Sequence, residues 1–290
     1  MSAPATALPA MLSMAGAALL LTANEAIVKV LTLELGFGQL MSLRSGFAVL
    51  VLLPALWSRG GLRLAPAGRL AAAEGWMLLL RCAALTGSVF LFLWGLSLLP
   101  LASAMALVFT APLFATLLGA GLLGERVGRW RWAALAVGFA GVLLITAPDG
   151  RIAWPALLPL GAAAGLGLSD MATRRLMQRA SAPAVLLYSH AFIAFAGLAT
   201  ALDGGWDWPG LRDLAWIAAA SLLFSLGLLL QMEAFRRADV SKVAPLRYLA
   251  LVFAVLLGWW VWDELPGLGA VAGAAMIVVS GALVWRLDRS

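Results

Sequence analysis

Apolar runs of about 20 residues return ten times along this chain, and each is long enough to cross the hydrocarbon core of a bilayer as a helix. They lie near 10–33, 38–57, 75–98, 101–123, 130–147, 154–177, 182–202, 212–235, 242–262 and 266–285. Backbone amides in lipid have no water to bond, so each run is expected to be helical unless it lines a cavity. Composition points the same way. The 290 residues are 63% hydrophobic and 12% charged, with mean hydropathy +0.97, whereas soluble chains average about 25% charged. Ten spans use roughly 200 residues and leave no room for a soluble domain. The expected fold class is an all-α polytopic membrane protein.

The charges sit in the gaps between runs, and they alternate in sign. One set of connections holds Arg59, Arg63 and Arg69; Arg126, Arg129 and Arg131; Arg174, Arg175 and Arg179; Arg236, Arg237 and Lys242; and, in the tail, Arg286 and Arg289. The opposite connections hold only Arg151 and Arg212, and carry Glu34, Asp149, Asp203, Asp207, Asp213, Asp263 and Glu264. Basic connections stay in the cytoplasm, so both termini are expected there, as an even number of spans requires. The first 23 residues hold no Lys or Arg, so the first run reads as a span rather than a cleaved leader. The net charge of +6 is thereby explained by membrane orientation, and no nucleic-acid partner is expected. The thirteen tryptophans fall near span ends, as an interfacial aromatic belt does. A single cysteine, Cys82, and a single histidine exclude an internal disulfide and cannot build a zinc or iron–sulfur site, so neither metal nor cofactor is expected.

The two halves of the chain match one another. A shift of 139 residues pairs Phe109 with Tyr248, Ala111 with Ala250, Phe114 with Phe253, Gly119 with Gly258, Glu125 with Glu264 and Gly128 with Gly267. A shift of 146 pairs Pro9 with Pro155, Leu12 with Leu158 and Asn24 with Asp170. Five spans per copy is an odd number, so residues 1–147 and 148–290 read as two five-helix repeats inserted with opposite orientation. Such repeats supply a transporter with two related conformations that open to opposite sides of a midplane site.

Leu99-Pro100-Leu101-Ala102-Ser103-Ala104, Phe109-Thr110-Ala111-Pro112-Leu113-Phe114, Leu123-Gly124-Glu125-Arg126-Val127-Gly128 and Gly138-Phe139-Ala140-Gly141-Val142, with a weaker copy over Ser241 to Glu264, resemble the motifs of the EamA family in the drug/metabolite transporter superfamily. In the second copy Arg247 stands opposite Val108 and Leu251 opposite Pro112, a departure from the pattern. The resemblance implies a bacterial inner-membrane exporter of small metabolites, with amino acids, aromatic ones included, and toxic cations among the substrates. It also implies a substrate site lined by spans 1, 3, 4, 6, 8 and 9, with Phe90, Trp94, Gln231 and Tyr248 among the expected lining residues.

Charged and polar groups deep in a span cost free energy and need a reason. Asn24, Glu25, Asp170 and His190 lie about seven to nine residues from the nearer boundary and are the midplane candidates. Asn24 and Asp170 occupy matching positions on the first helices of the two repeats. Arg81 and Arg247 sit about 7.5 Å inside the cytoplasmic boundary, where they either snorkel or line the cavity. Lys29 and Arg44 read as residues near the outer face. Glu25 with Lys29, Asp170 with Arg174 and Glu233 with Arg237 have the i,i+4 spacing of helical ion pairs. Glu125 and Glu264 close the fourth and ninth spans, where a carboxylate accepts hydrogen bonds from free N–H groups at a helix start, a structural role. A desolvated carboxylate such as Glu25 or Asp170 can also carry a proton across an access switch.

Gly119 to Gly124 fits G-x-G-x-x-G, but those glycines end a membrane helix and lack the strand that a dinucleotide site needs. The pairs Gly161/Gly165 and Gly269/Gly273 read as helix-packing surfaces. A membrane enzyme would need a convergent acid–base or metal set, which one histidine does not supply, so no enzymatic activity is expected. A channel would need a continuous polar pore. The sequence reading is a secondary transporter that exports a small-molecule substrate by alternating access, the alternative being a channel or uniporter-like facilitator without ion coupling. Monomer and homodimer both stay open.

Overall fold

The computed structural model describes residues 7–58, 72–123, 128–146, 153–176, 182–203, 206–237 and 244–287. Among these residues every regular element is helical, and the helices build ten spans. The first three are α1 (Ala7–Leu31), α2 (Phe37–Ser58) and α3 (Ala72–Leu98). The fourth is split into α4 (Leu101–Val108) and α5 (Ala111–Leu123). The others are α6 (Arg129–Thr146), α7 (Leu157–Leu176), α8 (Ala182–Ala199), α9 (Leu211–Arg237), α10 (Leu249–Trp262) and α11 (Leu268–Leu287). A 3₁₀ turn, Ala244–Tyr248, leads into α10. Five helices are long and apolar enough to cross a membrane within the described residues, and four shorter apolar helices accompany them. The chain is a multi-pass membrane protein.

The split in the fourth span has a local cause. Pro112 has no N–H to return to the carbonyl of Val108, and the chain repairs the gap with short bonds. Thr110 Oγ1 donates to the Leu107 carbonyl at 2.6 Å, and the Leu113 N–H reaches the Thr110 carbonyl at 2.8 Å. At the equivalent place in the ninth span Leu251 replaces the proline, and there the 3₁₀ turn Ala244–Tyr248 gives way to α10 at Leu249.

Packing joins the halves at every layer. The principal helix pairs are α1 with α9, α3 with α7, α2 with α8 and α6 with α11, each with one member from either half. Exchanging the halves turns α1/α9 into α3/α7 and maps α2/α8 and α6/α11 onto themselves, as an approximate two-fold axis between inverted repeats demands. It likewise maps the contact of α5 with α7 onto that of α1 with α10. Phe109 and Tyr248, which the 139-residue shift makes equivalent, meet each other with ring centroids 5.5 Å apart. Self-contact between equivalent residues marks where the axis passes.

Small residues permit these approaches. Gly165 faces Ser88 and the Ala84 carbonyl across α3/α7, and Gly273 faces the Gly141 carbonyl across α6/α11, so both expected glycine pairs lie in helix contacts. A methyl on Gly141 would stand 2.6 Å from the Gly273 carbonyl oxygen, whereas Gly121 has nothing within 4 Å. Gly141→Ala is therefore expected to cost about 1–3 kcal/mol and to lower the melting temperature in detergent by about 2–6 °C. Gly121→Ala should cost nothing, and equal melting of the two variants would contradict the packing.

Candidate functional site

Inside the bundle, polar groups from both halves form a connected set. On α1, the Asn24 amide donates to Glu25 Oε1 at 2.8 Å. The remaining acceptors of that pair, Asn24 Oδ1 and Glu25 Oε2, are enclosed and without a hydrogen-bond partner. On α2, the Arg44 guanidinium lies over the ring of Phe224 from α9, with Cζ 5.3 Å from the centroid. It is the cation that acts electrostatically on both Glu25 and His190. His190, on α8, presents its ring edge-on to the same Phe224 at 5.7 Å, and its Nδ1 is enclosed without a partner. Buried polar atoms are nearly always hydrogen-bonded. The three unpartnered atoms, two on α1 and one on α8, make this polar set the candidate site.

Arg81 belongs to the same region but is engaged. From α3, its Nε donates to Thr173 Oγ1 on α7 at 2.8 Å, and its Nη1 donates to Ser189 Oγ on α8. Thr173 and Ser189 each donate in turn to a carbonyl one turn back in their own helices. Arg81 thereby ties the first half to two helices of the second. Asp170, exposed on α7, acts electrostatically on Arg81.

The other expected residues are placed elsewhere. Trp94 packs edge-on against Trp154 at 6.2 Å and is 46% exposed, outside the polar set. Phe90, Phe109 and Tyr248 pack against the main apolar core. Gln231 is half-buried on α9, and Arg247 is exposed at the 3₁₀ turn before α10. Arg237 Nε pairs with Glu233 Oε1 at 2.5 Å, as the i,i+4 spacing requires. Glu125 lies outside the described residues, as does the side chain of Arg174.

Lys29 corrects the sequence reading. Instead of bridging to Glu25 one turn away, its ammonium reaches Glu264 across the bundle, at 2.8 Å from Oε1 and 2.9 Å from Oε2. It also donates to the Leu99 carbonyl at 3.0 Å and lies 4.6 Å from the Trp262 ring centroid. The cause is backbone geometry. Asp263 adopts left-handed φ of 56°, its N–H bonds the Trp259 carbonyl and the Glu264 N–H the Gly258 carbonyl, each at 3.0 Å, a left-handed helix cap that turns the chain back over α10. Glu264 Oε2 also accepts the N–H of Leu101 at 3.2 Å. The carboxylate thus serves the start of α4, in the other half, rather than the helix that follows it.

Arg44 is the residue that sequence reasoning misses, because it lies only seven residues into α2 and depth alone places it near the outer face. A signal was present: the 146-residue shift that pairs Asn24 with Asp170 also pairs Arg44 with His190. The polar set thus involves the second and seventh spans, α2 and α8, beyond those expected to line the site. Among the described residues, no three His, Cys, Asp or Glu side chains come together as a metal would require.

The EamA-like transporter family model matches residues 8–147 and again 153–286. A riboflavin transporter of Rhizobium johnstonii is 35% identical over 66% of this chain and 64% of its own length. An S-adenosylmethionine uptake transporter of Rickettsia bellii is 29% identical over 64% of each. The chain thus spans somewhat under two thirds of the length of these two relatives. The pseudopaline exporter of Pseudomonas aeruginosa is 30% identical over 70% of this chain and 72% of its own. A solved crystal structure, 23% identical, superposes with a TM-score of 0.65 over 99% of both chains, which fixes the fold. With two successive matches that together span nearly its whole length, the chain belongs to the EamA-like transporter family.

Proposed function

We propose that this protein is a secondary transporter that exports a small metabolite across a bacterial inner membrane by alternating access. The substrate, an amino acid of aromatic or related type or a small organic cation, binds among Asn24, Glu25, Arg44 and His190, between repeats 1–147 and 148–290. The arginine-rich connections and both termini face the cytoplasm. The observation that carries this reading is the enclosed polar set itself. Asn24 Oδ1, Glu25 Oε2 and His190 Nδ1 lack partners where helices from the two halves meet, and a midplane site between inverted repeats is where alternating access places a substrate. The names of the relatives support transport of small molecules; one carries the word uptake and another exporter, so direction is tested separately.

Purified protein in liposomes should give saturable counterflow with one compound class from a panel of aromatic amino acids, quaternary cations, riboflavin and S-adenosylmethionine. Flux that rises linearly with concentration, without counterflow, would contradict a carrier. In cells, overproduction should raise tolerance to toxic analogues of the transported class. Increased sensitivity would reverse the direction.

A further inference from the structure

The cations within the bundle are not used alike. Lys29 spends its ammonium on Glu264 and the Leu99 carbonyl, and Arg81 spends two N–H groups on Thr173 and Ser189. Arg44 is different. Its backbone carbonyl accepts from Ser221 at 3.0 Å, and its guanidinium carbon lies over the Phe224 ring, 5.3 Å from the centroid. No acceptor among the described residues takes the guanidinium N–H groups. The carboxylate that acts on it, Glu25, has one oxygen occupied by Asn24 and does not close an ion pair with it. A cation kept unpaired inside a membrane protein is costly, and such residues mark substrate paths. A cation over a ring face leaves N–H groups free, and a guanidinium presents parallel N–H donors matched to a planar carboxylate. The His190 ring contacts the same Phe224, and Glu25, on which Arg44 acts, keeps one oxygen without a partner.

We propose that Arg44 is the specificity-determining anchor for a carboxylate group on the transported molecule, held in place by Phe224. The assignment rests on the transporter reading of the same site and narrows its substrates to organic acids and zwitterions rather than simple cations.

The test uses the purified full chain and a matched pair of probes, benzoate and benzamide, which differ in the carboxylate. At 20 mM and constant ionic strength, benzoate should raise the melting temperature by about 2–4 °C and benzamide by under about 1 °C. The difference should vanish in Arg44→Gln and fall by about half in Arg44→Lys, whose ammonium cannot present the fork. Equal shifts from the two probes, no shift with benzoate, or an undiminished benzoate effect in Arg44→Gln would each overturn the proposal. Should Arg44→Gln fail to fold, Glu25→Gln decides. Removing the nearby negative charge should enlarge the benzoate shift, and an unchanged or smaller one counts against the anchor. None of these readouts needs transport. Counterflow without a benzoate effect defeats the anchor alone, and a benzoate effect without counterflow defeats the transporter reading alone.

Discussion

Glu264→Gln is expected to lower the melting temperature by about 6 °C or more and to open the acid-rich end of the bundle. Lys29 is nearly enclosed, with 8% of its side chain exposed, and Glu264 has 27% exposed. Removing one partner of such a pair strands the other charge, at a cost of about 3–5 kcal/mol. The partial exposure of Glu264 argues for the lower end, and about 3 kcal/mol corresponds to roughly 6 °C in a chain of this size. The contact joins α1, the α3–α4 junction and α10, so it must break before the two halves separate at that end. Losing 2 kcal/mol from the closed state alone shifts the closed-to-open balance about 30-fold. A cysteine at Ala102, in a Cys82→Ala background, should therefore react with an impermeant maleimide about tenfold faster once Glu264 is Gln. Reversing both charges, Lys29→Glu with Glu264→Lys, should recover less than half of the lost stability. The Leu99 carbonyl would then face a carboxylate and the Leu101 N–H an ammonium. Wild-type melting and labelling in Glu264→Gln would remove the contact from any role in access.

The ten spans and their inverted repetition were legible because both depend on patterns that survive without tertiary knowledge: runs of lipid-compatible length, the alternation of charge, and a shift that aligns Phe109 with Tyr248. Pairing partners were not legible. Lys29 and Glu264 are 235 residues apart, and nothing in a local helical spacing competes with a turn, set by the left-handed Asp263, that swings a carboxylate across the bundle. The i,i+4 rule favoured Glu25 for Lys29; a second oxygen, a carbonyl and an indole ring at Glu264 outweighed it. Arg44 illustrates another limit. Depth along the helix placed it near the surface, while its use depends on Phe224 and Glu25, which come from other helices. Trp94 shows the same limit: its residue type suggested a lining role, and its contact with Trp154, from the other half, is set by packing alone.

Glu25→Gln is expected to abolish acceleration of transport by an imposed pH gradient while leaving substrate counterflow in place, and Asp170→Asn is expected to retain that acceleration. Both acids were equivalent candidates in the sequence, at matching depth on symmetry-related helices. Their surroundings separate them. Glu25 has one oxygen bound to the Asn24 amide and the other enclosed without a donor, which leaves a defined position for a proton. Its charged neighbour is Arg44, which, like His190, contacts the Phe224 ring. Asp170 is exposed and has an interaction partner, so its carboxylate has no vacancy that a proton must fill. A proton on Glu25 removes the negative charge beside Arg44 in the ligand region, which couples protonation to what Arg44 holds. Reconstituted wild type should therefore transport several-fold faster under a two-unit pH gradient than without one, and Glu25→Gln should run at the same rate in both conditions. Wild-type transport indifferent to the gradient would eliminate the proton mechanism, and loss of the response in Asp170→Asn alone would transfer it to the second repeat. The asymmetry is the physical content of the prediction. Two copies of one fold supply matching positions, and the side chains packed around each decide which of them moves a proton.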